Sequence, residues 1–287
     1  MIKQDPSTYT YVYKTPEGKI EILRRYDEIL KQWPISYEEL RLNTSYGDTY
    51  VLRSGDTTAP PLLLLHGASS NASLWAHDME IYSRHYCVYA IDIPGEPGKS
   101  EERQYPLDRN VYSSWLKELL DNLGLSKVSL LGLSLGAWLA TGFTTRYPER
   151  VKKLVLLCPS GIGRQRISFA FKALFYLFQG DKGYDKLTNL VNDGQPVPEE
   201  TKTYTKLISK EYHLRSGQVP VYLDEELLKI QMPLLLCVGE QDALLDSKTT
   251  ANRIRKLLPH AVVNLLPDHG HLLIDLQPQI LSFLTGE

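Results

Sequence analysis

Six short, almost continuous apolar runs constrain the fold of this 287-residue chain more than any other feature. They occupy residues 62–65, 86–91, 128–131, 154–158, 234–238 and 262–266. A strand with one wet face alternates polar and apolar residues, whereas a strand buried on both faces reads as a continuous apolar run. Helix-like segments lie between them, at 111–123, 135–147, 249–258 and 272–284. That alternation predicts an α/β fold with a mostly parallel central sheet and helices on both faces. Ahead of the runs, residues 39–43 and 49–53 partly alternate and predict an edge hairpin joined at Gly47-Asp48.

Two stretches fall outside the alternation. Residues 1–36 form an N-terminal extension whose helix starts at Thr15-Pro16, carries Ile20, Leu23, Leu30 and Trp33 at helical spacing, and stops at Pro34. It is expected to pack on the outside of the main domain. Residues 159–232 show no buried strand and divide the core into 37–158 and 233–287. This second stretch reads as a helical insertion holding four of the six phenylalanines, Phe169, Phe171, Phe175 and Phe178.

Bulk properties exclude several function classes. A net charge of −2 with mixed signs along the chain offers no field for nucleic acid or an anionic membrane. No run approaches 18 apolar residues, and Met1 to Pro6 lack the apolar stretch of a signal peptide. The three cysteines, Cys87, Cys158 and Cys237, lie in strand-like runs without a C-x-x-C pair and read as buried free thiols of a reduced, cytoplasmic protein.

The chemistry begins at Gly132-Leu133-Ser134-Leu135-Gly136, behind the apolar run at 128–131 and ahead of the helix-forming Ala137-Trp138-Leu139-Ala140. A G-x-S-x-G sequence between strand and helix holds its serine on a strained turn with the hydroxyl exposed. Ser134 is therefore the expected nucleophile of a hydrolase. A serine hydroxyl needs a base to take its proton and an acid to orient that base. His271 and His269 both lie between the last strand-like run and the last helix-like segment, with His271 expected at the helix start. The acid is expected just past the run at 234–238, where sheet ends form sites. Asp242 fits, with Glu240 and Asp246 as competitors. Two backbone N–H groups must receive the developing oxyanion. Leu135 follows the nucleophile, and Ala68 lies in the loop after the run at 62–65, which His66 is expected to order.

With these pieces in place the sequence resembles the α/β-hydrolase superfamily, in its esterase-like branch with a helical cap. The resemblance rests on Leu65-His66-Gly67-Ala68 with Trp75 downstream, Asp92-Ile93-Pro94-Gly95, the serine turn, Tyr147-Pro148-Glu149-Arg150-Val151, Gly239-Glu240-Gln241-Asp242 and Gly270-His271 with Pro278 behind it. It implies an α/β-hydrolase fold with a helical cap inserted before the strand that precedes the acid. It also implies Ser134 as nucleophile, His271 as base and Asp242 as acid, in the chain order expected of such enzymes. The sequence departs from the family at Gly95-Glu96-Pro97-Gly98-Lys99-Ser100, where relatives usually carry a shorter His-Gly-x-Ser. Gly98-Lys99-Ser100 also superficially matches a phosphate loop, but the required earlier glycine is Ile93.

The expected reaction is carboxylic-ester hydrolysis through an acyl-enzyme, with no metal or organic cofactor. Thioester, lactone or carbon–carbon bond hydrolysis runs on the same triad. A non-catalytic ligand-binding relative is the contrasting class. The lid's aromatic cluster points to a small-molecule substrate with an apolar group, with Phe171 and Phe175 as the expected contacts. The same spacing also serves to hold a lid on its core. Arg164, Arg166 and Lys172 flank the cluster, either to attract an acidic substrate or as solvated surface.

Overall fold

A computed structural model describes residues 10–215 and 218–286. The first nine residues of the extension, including the segment expected to lack a signal peptide, lie outside the described residues. The N-terminal half of the chain runs β1 (Thr10–Tyr11), α1 (Pro16–Lys31), β2 (Glu38–Thr44), β3 (Gly47–Ser54), β4 (Pro61–Leu65), α2 (Ala76–Tyr82), β5 (Cys87–Ile91), β6 (Arg103–Gln104), α3 (Arg109–Asn122), β7 (Val128–Leu133) and α4 (Leu135–Arg146). It continues through β8 (Val151–Leu157), α5 (Ile167–Leu177), α6 (Gly180–Val191), α7 (Glu199–Glu211), α8 (Asp224–Leu227), β9 (Leu234–Gly239), α9 (Ser247–Leu257), β10 (Val262–Leu266) and α10 (Gln277–Thr285).

Eight strands form one sheet in the order β10-β9-β8-β7-β4-β5-β3-β2, and β1 pairs with β6 in a separate ribbon. From β10 to β5 every neighbour is parallel, while β3 runs antiparallel to β5 and β2 to β3. All six apolar runs are strands of this sheet, five of them interior and buried and the last, β10, at its partly exposed edge. The reason is visible in β4, where Leu63 and Leu65 pack with α3 and α4 on one face while Leu62 and Leu64 pack with α1 and α2 on the other. Because β4 has β5 on one side and β7 on the other, the chain reverses its winding between β4 and β7. Sites in open α/β sheets form at such a point, beyond the carboxyl ends of the strands.

Three expectations need correction. The edge hairpin pairs Thr44 with Gly47, so its turn is Ser45-Tyr46 rather than Gly47-Asp48; Gly47 takes the left-handed φ of 96° that closes the turn. The last helix starts at Gln277 and not near Leu272, since Pro278 suits the first turn of a helix and Asp275 has a φ of 58° just before it. The N-terminal helix buries Gly18, Ile22, Tyr26 and Leu30, an i, i+4 stripe, and leaves Ile20 exposed. That stripe is no outer covering of the sheet alone. Helix α1 packs on α7, and residues 12–14 run beside 211–213, with His213 N donating to Val12 O at 2.8 Å and Lys14 N to Glu211 O at 2.8 Å.

The insertion before β9 is helical, as its composition implied. It is anchored at both ends. Arg166 N donates to Leu244 O and Asp246 N to Arg164 O, tying its start to the loop after β9. Near its end, Tyr222 Oη donates to Trp138 O at 2.7 Å and Trp138 Nε1 to Pro220 O at 2.9 Å, tying it to α4.

Candidate active site

The turn after β7 is built by exclusion. A Cβ on Gly132 would lie 2.5 Å from Gly136 O, and one on Gly136 would lie 2.1 Å from Leu65 O. Only glycine lets strand β7, helix α4 and the end of β4 approach this closely. Between these glycines Ser134 has φ 52° and ψ −105°. A non-glycine residue in such a conformation costs about 1–3 kcal/mol and persists because the surroundings fix it. Here Ser134 N donates to Leu157 O at 2.9 Å, and Ser134 O accepts from Trp138 N at 3.0 Å.

His271 reaches that serine from the loop after β10, six residues ahead of α10. Its Nε2 lies 2.9 Å from Ser134 Oγ and its Nδ1 2.7 Å from Asp242 Oδ2. Asp242 is fully buried just past β9, and its other oxygen accepts from Leu244 N at 2.7 Å and Leu245 N at 3.0 Å. Burial pushes the Asp242 carboxyl up, but the adjacent His271 and the two backbone donors outweigh it and hold it below the usual carboxylate range. An acid held ionised against the imidazole fixes Nδ1 as the protonated nitrogen and leaves Nε2 free to accept from the serine.

The competing residues have other occupations. Glu240 pairs with Lys248 at 2.6 Å, and Asp246 caps α9 by accepting from Thr249 N at 3.0 Å. The backbone of His269 accepts from Gln241 N, and its buried Nδ1 has no hydrogen-bond partner among the described residues.

The loop after β4 lies against the nucleophile, since a Cβ on Gly67 would sit 3.7 Å from Ser134 Cβ. His66 orders this loop. Ile93 N donates to its Nε2 at 3.0 Å, so the proton is on Nδ1, which donates to Gly67 O at 2.8 Å. Complete burial pushes the ring down to about 4, keeping it neutral. Gly67 O and Ala68 N–H share one peptide plane and point opposite ways. Holding the carbonyl therefore aims the Ala68 N–H. Leu135 is the first residue of α4, where a helix leaves its N–H groups without internal acceptors. Leu135 thus directly follows Ser134, and the loop that carries Ala68 lies against it through Gly67.

Gly98-Lys99-Ser100 holds a carboxylate of the same chain and not a phosphate. Asp92 Oδ2 accepts from Lys99 N at 2.7 Å, while Oδ1 accepts from Ala72 N at 2.7 Å and from Tyr26 Oη of α1 at 2.9 Å. This buried knot, unforeseen in the sequence, joins the N-terminal helix to the loops bordering Ser134.

Phe171 and Phe175 are not brought to the triad. They sit four residues apart on the outer face of α5, 71% and 64% exposed, with Phe178 beside them at 83%. Arg166 is committed to the fold, its Nε donating to Leu245 O at 3.1 Å. The three cysteines are buried and free. Cys158 stands behind the acid, its Sγ within 4.8 Å of the ligand atoms of Asp242 and His271. Among the described residues no helix is long and apolar enough to cross a membrane.

Comparison with known proteins gives a consistent result. A family model described as the alpha/beta hydrolase family matches residues 62–281. The uncharacterized carboxylesterase nap of Bacillus subtilis is 31% identical over 288 residues, covering 94% of each chain. Carboxylesterase YbfK of the same organism is 30% identical, covering 94% of this chain and 95% of its own. The crystal structure of the latter superposes with a TM-score of 0.85 at 28% identity, covering 94% of this chain and 99% of that one. That of naproxen esterase, also from Bacillus subtilis, gives 0.82 at 29% identity, covering 95% and 98%.

Proposed function

This chain belongs to the alpha/beta hydrolase family, and from that premise we propose that it is a carboxylic-ester hydrolase using Ser134, His271 and Asp242. One observation carries the proposal: an unbroken hydrogen-bonded relay from Ser134 Oγ through His271 to a buried, ionised Asp242. The esterases to which the chain is similar along almost its whole length support the choice of ester over other acyl bonds.

In the proposed reaction Ser134 Oγ attacks the ester carbonyl carbon while His271 Nε2 takes its proton. Negative charge moves to the carbonyl oxygen between the N–H groups of Ala68 and Leu135. Each such donor contributes about 10²–10³-fold in rate because it is already in place when the charge appears. Collapse of the tetrahedral intermediate expels the alcohol, protonated by His271, and leaves an acyl-serine. Water, deprotonated by the same histidine, then releases the acid.

The substrate is a small molecule with an apolar acyl or alcohol group. The helical segment 159–232 serves as that cap. Three buried, unpaired thiols support a reducing, cytoplasmic setting.

The test is hydrolysis of p-nitrophenyl esters of increasing acyl length by wild type and Ser134→Ala. Turnover by wild type and a loss of several orders of magnitude in the variant are expected. Folded wild type without turnover on any ester would move the assignment to carbon–carbon, thioester or lactone hydrolysis, or to ligand binding alone.

A further inference from the structure

The segment that departs from the family pattern, Gly95 to Ser100, places a carboxylate where it meets both the oxyanion loop and the cap. Glu96 is fully buried in its side chain. Its Oε2 accepts from Ser69 N at 2.7 Å and from Tyr212 Oη at 3.0 Å. Its Oε1 pairs with Arg215 Nε, and the Arg215 side chain is only 8% exposed. The remaining guanidinium nitrogens donate to Tyr105 O and Pro94 O, each at 2.9 Å. Tyr212 and Arg215 both follow α7 and belong to the insertion, so one carboxylate joins three segments of the chain.

Ser69 is the residue after Ala68 and has the left-handed φ of 56°. An L-residue stays there only when something outside it fixes the backbone. Glu96 accepts the Ser69 N–H, which sets the plane of the peptide following Ala68. His66 sets the plane preceding it. The Ala68 N–H lies between these two anchors, one from the core and one tied to the cap.

We infer that Glu96 is a positioning residue for the oxyanion site, holding the Ala68–Ser69 peptide and coupling it through Arg215 to the seating of the cap. The inference rests on the proposed hydrolase reading and adds to it. Glu96 touches no reacting atom; it acts through the aim of a backbone donor. Losing that aim weakens binding of the oxyanion and leaves binding of the uncharged ester alone, so kcat falls while KM holds.

The experiment compares wild type, Ser134→Ala, Glu96→Gln and the double variant Glu96→Leu/Arg215→Met. The double variant removes both charges together and so avoids the unpaired buried cation that destabilises the single one. The readouts are kcat and KM for p-nitrophenyl acetate, inhibition by a trifluoromethyl ketone and by the matching methyl ketone, and amide exchange at Ser69. In the folded double variant kcat is expected to fall about 10–100-fold, within the loss associated with one oxyanion donor, and Glu96→Gln, which keeps an acceptor oxygen for Ser69 N–H, falls less. KM stays within about twofold, since only a transition-state interaction is lost. The trifluoromethyl ketone, which forms an oxyanion adduct with the serine, weakens in parallel with kcat/KM while the methyl ketone does not. Ser69 loses its exchange protection. A folded double variant that keeps kcat and Ser69 protection overturns the inference, leaving Glu96 as a cap anchor only. Equal weakening of both ketones with a raised KM overturns it as well, since that is collapse of the pocket. Wild type without ester turnover overturns the hydrolase reading instead, and Ser69 exchange still decides whether Glu96 holds the loop.

Discussion

Replacing Gly136 by alanine isolates the contact on which the site depends. The new Cβ would lie 2.1 Å from Leu65 O and 2.5 Å from His66 O, where ordinary contact begins at 3.4 Å. Both obstructing atoms are backbone, so no side chain can rotate away. Helix α4 and the end of β4 must separate by more than about 1 Å, a displacement that in active sites costs about 10²-fold in rate. The separation falls between the two proposed oxyanion donors, because Leu135 moves with α4 and Ala68 with the β4 loop. The expected result is a fall of about 10²–10³-fold in kcat on p-nitrophenyl acetate, the size of losing one donor, with KM little changed. Overpacking should also cost about 1–3 kcal/mol, lowering Tm by roughly 2–4 °C for each kcal/mol in a protein of this size. The assay is steady-state kinetics beside a thermal melt. A folded Gly136→Ala protein with kcat within threefold of wild type would refute the reasoning, since the oxyanion donors would then not depend on that approach.

Two further outcomes follow from the same structure. Asp242→Asn should retain the fold and lower kcat by about 10⁴-fold, the loss associated with the wrong imidazole tautomer in such a triad. The folded-state depression of Asp242 contributes stability above its ordinary value of 3.8 that is lost as pH falls through the folded value. The Tm gap between wild type and the variant should therefore shrink on acidification from pH 6 to about pH 3, and a constant gap would count against the pairing. Deleting residues 1–33 removes Ile22, Tyr26 and Leu30 from their burial, at about 1.5–3 kcal/mol each. Tm should drop by more than about 10 °C while the protein that remains folded keeps its kcat; wild-type stability with lost turnover would contradict the packing described.

The core strands and the serine turn were legible because each follows from a local requirement, whereas the choice of His271 and Asp242 as its partners, 137 and 108 residues away, leaned on the family resemblance. A strand covered on both faces is apolar at nearly every position, and the six runs are apolar apart from Ser129 and Asn264. The serine turn announces itself because steric contact admits only glycine at 132 and 136. What escaped sequence reading is what depends on partners far along the chain. Glu96 and Arg215 are 119 residues apart, and Tyr26 and Asp92 are 66 apart, so no spacing rule pairs them. The short helix α2 buries only Met79 and Tyr82, too few residues to mark a period. Phe171 and Phe175 do keep a helical spacing, but spacing assigns residues to a common face without saying which way that face turns. The start of α10 was misplaced because the apolar residues Leu272 and Leu273 pack onto the core from a loop, which continues the pattern without the helix.

The seam between the N-terminal segment and α7 has a consequence for synthesis. Thr15 and its partner Glu211 are 196 residues apart. At about 5–20 residues per second, the partner leaves the ribosome roughly 10–40 s after the segment that needs it. Throughout that interval the start of α1, where Gly18 lies against Glu211, has no α7 to pack on, while Tyr26 already has Tyr50 and Asp92 as partners. Closing so long a loop adds only slowly to the entropic cost, yet contacts of such separation form late in folding. The nascent chain thus seats α1 on the sheet early and closes its seam with α7 only after more than two-thirds of the chain has been made.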